Sequence, residues 1–313
     1  MNTKEKLRII KDLSGLTQTE LAAKIGVSFV AFNNWWTEKS QPRKKQIEKI
    51  DELYKAYTGQ KEIPENVLIA QKELLAKRSG AFKNILATIL KNPDISDQFL
   101  LSLTYNSNKI EGSTLSEDET ADILFHNRSI PNKSLIEQLE VKNHQAALQY
   151  LFTHLKEKKK IDEQLILKLH GMLMNGIRDD AGIYRNHGVR IVGSNVPTAN
   201  YLKVPLLMKD VVKHINHKQK DVVEHVAKIH AKFEQIHPFS DGNGRVGRMI
   251  LTAMLLQNNR APGVIKQEEK HIYYACLRRA QLKDDTSLLE DFVCDAVALG
   301  FDILERGETR SAS

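Results

Sequence analysis

Twelve residues, His237-Pro238-Phe239-Ser240-Asp241-Gly242-Asn243-Gly244-Arg245-Val246-Gly247-Arg248, constrain this chain more than any other segment. Upstream, Val222, Val226, Ile229, Phe233 and Ile236 recur at steps of three and four, which marks one buried helical stripe. Pro238 ends that helix, because proline disfavours helical geometry in the residue before it. His237 then stands at the helix end. Downstream, Met249, Ile250, Ala253, Met254 and Leu256 read as a mostly apolar, deeply buried helix. The twelve residues are thus a loop wedged between two core helices, with Gly242-Asn243-Gly244 at the loop-to-helix junction.

Such a junction attracts phosphate, because the first N–H groups of a helix lack intrahelical partners and lie at the positive end of its dipole. Glycines let the backbone approach an anion closely and adopt positive φ. Arg245 and Arg248, three apart at the helix start, can face one phosphate chain. Asp241 is a natural ligand for Mg²⁺, which prefers carboxylate and phosphate oxygens. His237 is a candidate proton acceptor. A zinc reading of His237 and Asp241 is weaker, since a proline separates them and no third soft ligand lies close by.

The stretch resembles the signature of the Fic family, H-P-F-x-D/E-G-N-G-R-x-x-R, and matches it at every fixed position. The resemblance spans roughly residues 96–300. It implies an enzyme that moves AMP from ATP onto a side-chain hydroxyl of a target protein and releases pyrophosphate. Carried over by position, His237 is the general base for a Tyr, Ser or Thr hydroxyl. Asp241 holds Mg²⁺, with Mn²⁺ as a substitute. Gly242, Asn243 and Gly244 cradle the phosphates, with Arg245 on the β- and Arg248 on the γ-phosphate.

Two flanking segments extend the resemblance. Gly182-Ile183-Tyr184-Arg185 is similar to the G-x-Y-R segment that leads into a target-docking β-hairpin flap, here expected around Val192, Gly193 and Ser194. Locally the same residues read equally as an ordinary surface hairpin. Tyr273-Tyr274 followed by Ala280-Gln281 resembles the segment closing the nucleobase pocket, with Tyr274 to stack and Gln281 to hydrogen-bond. Some relatives carry asparagine where Gln281 stands, and a plain core role for the tyrosines stays open.

Ser107-Asn108-Lys109-Ile110-Glu111-Gly112 resembles the inhibitory motif [S/T]-x-x-x-E-[G/N] of many Fic proteins. Glu111 would pair with Arg248 in a bidentate geometry and deny it to the γ-phosphate. In some relatives this glutamate positions a water that hydrolyses the AMP–hydroxyl bond, so a de-adenylylating hydrolase is an alternative. A solvated glutamate at a helix end is the plain one.

The first 58 residues read as four or five short helices. Thr17 and Glu20 form a capping box, Gly26 a tight turn, and Ser28 the cap of a second helix. Leu16 to Ser28 resembles the heart of phage-repressor-type helix-turn-helix domains, which implies double-stranded DNA as a partner. Gln18, Ser28, Asn33 and Asn34 are the candidate contacts, and the asparagines can read adenine edges. Arg43, Lys44 and Lys45 are near the expected phosphate path. A dimerisation or protein-binding module is the alternative.

The expected fold is mainly α: a helix-turn-helix domain over 1–58, a helical connector over 59–95 with a hinge at Gly59–Pro64, and a Fic domain over 96–313. That domain carries the inhibitory helix around 100–112 and the β-hairpin flap. The absence of a long apolar run or an apolar N-terminal signal, together with Cys276 and Cys294 lying in helical patterns, fits a cytoplasmic protein with no membrane partner. Of a formal charge of +7, the first 58 residues supply four, from eleven Lys and Arg against seven Asp and Glu. The run Lys156–Lys160 reads as a solvated turn. The function expected is a self-inhibited protein adenylyltransferase with ATP, a target protein and DNA as partners. A nucleotide-sensing transcription regulator is the non-enzymatic alternative, and a homodimer is left open.

Overall fold

The computed structural model describes residues 1–191 and 194–311. Fifteen α-helices account for most of them: α1 (Thr3–Ser14), α2 (Gln18–Ile25), α3 (Phe29–Trp36), α4 (Lys44–Thr58), α5 (Glu65–Gly80), α6 (Ile85–Lys91), α7 (Pro93–Ile110), α8 (Glu117–His126), α9 (Leu135–Lys156), α10 (Glu163–Leu173), α11 (Val204–Ile215), α12 (Val222–Ile236), α13 (Asn243–Gln257), α14 (Lys270–Lys283) and α15 (Ser287–Ser311).

Helices α1–α4 enclose their own small core of Leu7, Ile10, Leu21, Ile25, Phe32, Trp35, Ile50 and Tyr57. Thr17 and Glu20 close their capping box, Gly26 adopts φ +82°, and the Ser28 hydroxyl caps α3 through the Ala31 N–H. The segment after α4 makes contacts with α14 and α15. Arg279 on α14 donates to the carbonyls of Gly59 (3.1 Å) and Lys61 (2.7 Å), and Lys61 pairs with Asp291 at 2.8 Å. Gly59 also abuts the α14 backbone: a Cβ there would lie 3.3 Å from the Ala275 carbonyl oxygen. Ile272 on α14 packs against both this small core and the larger one.

The larger core centres on α12 and α13, which pack against each other and against α9, α10 and α15. Nearly every side chain of α13 is buried, as its apolar run demands. Helix α7 crosses behind α13 and delivers its C-terminus to the start of α13. The run Lys156–Lys160 is an exposed turn between α9 and α10, and both cysteines are free and buried.

The β-hairpin flap is not present: no β-strand occurs among the described residues. Val192 and Gly193 lie outside the described residues. Ser194 sits in an irregular segment, its N–H donating to Ile191 C=O at 3.2 Å and its hydroxyl accepting from the Val196 N–H at 3.2 Å. The physical reason lies in Arg185. Its guanidinium, buried to 4 % exposure, donates to the carbonyls of His187 (2.7 Å) and Ala199 (2.5 Å) and so staples both ends of the loop. Within the loop the Val189 carbonyl accepts from the Thr198 hydroxyl at 2.7 Å instead of a cross-strand N–H, and Pro197 has no N–H to offer.

Candidate active site

His237 terminates α12 in the left-handed region, φ +53°, immediately before Pro238. Its Nδ1 lies 3.2 Å from the Glu234 carbonyl oxygen. A carbonyl only accepts, so Nδ1 carries the proton and Nε2 keeps its lone pair. Burial holds the His237 pKa below the usual histidine value, with the bond to Glu234 opposing the shift. Arg185 fixes the residue from behind, because its Nε donates to the His237 carbonyl at 2.7 Å and its backbone N–H to Pro238 C=O at 3.0 Å.

The following turn is closed by Asn243. Its Oδ1 accepts from the Phe239 N–H (2.8 Å) and its Nδ2 donates to the Phe239 carbonyl (2.9 Å), so the side chain shapes the loop. Gly242 caps α13 at φ +76°, and no side chain fills the cap. The first-turn N–H groups of α13 therefore face outward without an intrahelical acceptor, the arrangement that binds phosphate oxygens. Asp241 projects beside them, its side chain 54 % exposed and its Oδ1 accepting from the Gly242 N–H at 2.6 Å.

Among the described residues no cluster of three metal-ligating side chains exists. One exposed carboxylate at a phosphate-binding turn nevertheless suits Mg²⁺, which keeps its waters and is bound through one or two carboxylates plus substrate phosphates. The residues present fit that ion.

Arg248 is deeply buried and held by α7. Its Nε donates to Ser107 Oγ (2.9 Å), and its Nη2 donates to the Ser107 carbonyl (3.1 Å) and to Glu111 Oε1 (2.6 Å). Ser107 and Glu111 are four apart, on one helix face, which is why both reach one guanidinium. The contact with Glu111 runs through one nitrogen and one oxygen rather than in the bidentate form expected. Burial opposes the charge of Arg248, and Glu111 together with Tyr273 and Tyr274 more than offsets that, leaving its pKa above the ordinary value. Arg245 is turned inward, 3 % exposed, with Nη1 donating to Glu140 Oε1 at 2.5 Å and Nη2 3.8 Å from Asp241.

Tyr274 keeps 39 % of its surface exposed and lies against Tyr273, ring centroids 5.4 Å apart. Tyr273 itself is core, its hydroxyl 2.6 Å from His230 Nε2. Gln281 turns its amide nitrogen to the Ala231 carbonyl at 3.2 Å. The DNA-contact candidates lie on the other core: Gln18 opens α2, Ser28 spends its hydroxyl on capping α3, and Asn33 and Asn34 are half-buried on α3. Phe29 and Val30 are the exposed residues of that helix, and Arg43, Lys44 and Lys45 are exposed at the start of α4.

Sequence reasoning missed Glu140, Glu234 and the roles of Arg185 and Ser107. Arg185 had a signal in the G-x-Y-R match and Ser107 in the motif it opens. Glu140 and Glu234 had none, because nothing in a helical pattern marks which glutamate turns inward. Glu234 is 7 % exposed with Oε1 unpartnered, and burial pushes its pKa up to about 8, with Arg248 opposing and Glu111 adding. The missing side chain of Gly247 makes its space: a Cβ there would fall 2.3 Å from Glu234 Oε1.

Residues 160–255 match the family model described as Fic/DOC family. The chain is 34 % identical over 186 residues to the protein adenylyltransferase fic-1 of Caenorhabditis elegans, covering 58 % of this chain and 36 % of that protein. It is 28 % identical over 236 residues to the protein adenylyltransferase Fic of Aedes aegypti, 74 % of this chain and 47 % of that one. The chain thus spans less than half the length of these relatives. In fold it resembles Fic-1 (residues 134–508) from C. elegans, with TM-score 0.68 at 22 % identity over 94 % of this chain and 86 % of that one. A Fic-domain signalling protein from Bacteroides thetaiotaomicron gives TM-score 0.65 at 23 % identity, over 75 % and 98 %. With the geometry of the His237–Arg248 loop, the family-model match and the sequence relatives support a Fic/DOC-family domain over residues 160–255.

Proposed function

We propose that this chain is a self-inhibited protein adenylyltransferase with a DNA-binding module at its N-terminus. The observation that carries the reading is the pairing of Arg248 with Glu111 beside an uncapped helix start and a histidine whose Nε2 is free to accept a proton. ATP lays its phosphates along the first-turn N–H groups of α13. The target hydroxyl oxygen bonds to the α-phosphorus, the bond from that phosphorus to the oxygen bridging toward the β-phosphate breaks, and pyrophosphate leaves. The hydroxyl proton passes to His237 Nε2. Asp241 would hold Mg²⁺, which when bound neutralises charge developing on the phosphate oxygens. Arg248 serves the γ-phosphate only once Glu111 has released it. Tyr274 and Gln281 flank the base, and Asn33 and Asn34 of α3 face DNA bases with Arg43, Lys44 and Lys45 on the phosphates.

The test is transfer of label from α-labelled ATP by the full chain carrying Glu111→Gly. Label on the chain itself or on lysate proteins, lost when His237→Ala is added, supports the transferase. Intact folding and ATP binding without label favour a nucleotide sensor. Loss of AMP from adenylylated protein only when Glu111 is present favours the hydrolase.

A further inference from the structure

The loop that carries Asp241 rests on a residue outside the signature, His170 of α10, which is 1 % exposed. Gly182 donates its backbone N–H to His170 Nδ1 at 2.8 Å. A backbone N–H only donates, so Nδ1 holds the lone pair and the ring proton sits on Nε2. Nε2 faces the Asp241 carbonyl oxygen at 3.1 Å, a group that only accepts. Each ring nitrogen therefore has the one role its partner permits.

The ring does two further things. It stacks on Phe239 with centroids 3.7 Å apart and planes 5° from parallel. Its Cδ2 also lies 3.5 Å from where a Gly242 Cβ would stand. Phe239, Asp241 and Gly242 thus sit on a single imidazole. Meanwhile the Asp241 side chain is more than half exposed and bonds only to the neighbouring Gly242 N–H, with its nearest cation 3.8 Å away. Arg245, though buried, stays beyond hydrogen-bond distance of that carboxylate, so its direction is inherited chiefly from its own backbone, and that backbone is tied down through Nε2.

We propose that His170, as the Nε2–H tautomer, is the positioning residue that aims the Asp241 carboxylate toward the phosphate-bound cation by donating to the Asp241 carbonyl and accepting from Gly182. This rests on the transferase reading in taking Asp241 as the metal-facing carboxylate. Groups that orient a metal ligand typically contribute ~10–100-fold to metal affinity.

The two hydrogen bonds can be separated. Asparagine at 170 reaches about as far as Nδ1 and keeps the acceptor for Gly182, whereas glutamine reaches about as far as Nε2 and keeps the donor for Asp241. Mn²⁺ binding to the full chain is measured by electron paramagnetic resonance with ADP, which lacks the phosphate that Glu111 opposes. Thermal unfolding is followed in parallel. The expectation is that His170→Asn weakens Mn²⁺ binding about tenfold or more and His170→Gln keeps it within about threefold, although both lower the melting temperature. Equal loss in both variants, tracking stability alone, overturns the proposal. So does unchanged Mn²⁺ binding in His170→Asn while Asp241→Ala abolishes it. Unchanged binding in Asp241→Ala overturns the metal assignment itself, a different pattern. Nitrogen-15 spectra of the unmutated chain supply a readout without metal: a His170 ring protonated at Nδ1 instead of Nε2 also refutes the proposal.

Discussion

Glu111 Oε1 fills the space in which a side chain on Gly244 would begin. A Cβ on Gly244 would lie 2.3 Å from that oxygen, and the same oxygen accepts from Arg248 Nη2 at 2.6 Å. The turn at the start of α13 and the Glu111 carboxylate are therefore fitted to each other, through a glycine whose missing side chain admits Glu111.

Removing the carboxylate should release Arg248. A charge-assisted pair contributes ~1.5–3 kcal/mol, so Glu111→Gly is expected to raise AMP transfer roughly ten- to a hundredfold. The double variant Glu111→Gly, Arg248→Ala should fall back toward the parent. Steady-state transfer with Mg²⁺ or Mn²⁺ measures both, and a single variant no faster than the parent with either ion refutes the brake.

His237 should act as a base down to unusually low pH. Burial depresses its pKa below 6.5, so the ring stays neutral, and able to accept a proton, at pH values where an exposed histidine is half charged. In the Glu111→Gly background, the acid limb of kcat/KM should be centred below pH 6.5. His237→Ala should cost ~10²–10⁴-fold in rate with ATP affinity within a few fold. An acid limb centred above pH 6.5, or near-parental transfer by the Ala variant, contradicts the assignment.

Glu234 should make stability fall as pH rises. Its folded pKa, about 8, lies above the ordinary 4.5 of a free glutamate, so between these values the folded chain holds a proton that the unfolded chain has lost. The contribution is fully present below about pH 4.5 and is lost as pH rises through about 8, with a slope of up to ~1.4 kcal/mol per pH unit. Glu234→Gln keeps the shape without the proton. The difference in unfolding free energy between variant and parent should move in favour of the variant from pH 5 to 8 in denaturant titrations. A pH-independent difference would show that Glu234 is ionised in the fold.

Changing Asn33 and Asn34 to alanine should weaken binding to a selected operator by ~1–3 kcal/mol for each amide-to-base hydrogen-bonding pair removed, and non-specific binding little. Replacing Arg43, Lys44 and Lys45 should instead weaken both and flatten the salt dependence. Unchanged specificity in the asparagine variant removes these residues as readers. Failure of the parent to select any operator favours a protein-binding module.

Local chemistry in the sequence determined the helices around the site, because it needs only neighbours. The apolar stripe of α12, the stop at Pro238, the glycine-bracketed start of α13 and the caps at Thr17 and Ser28 all follow from residues within a turn or two. Tertiary structure alone decided the pairings that cross the chain. Arg245 meets Glu140 across 105 residues, and His170 meets Asp241 across 71, distances over which no periodicity carries information. It also overturned the hairpin: Val189 and Ile191 look β-prone locally, yet the Val189 carbonyl accepts from the Thr198 hydroxyl and a guanidinium buried by the fold holds both ends of the loop. Short-range preference proposes a conformation, and the need to satisfy every buried polar group decides whether the fold keeps it.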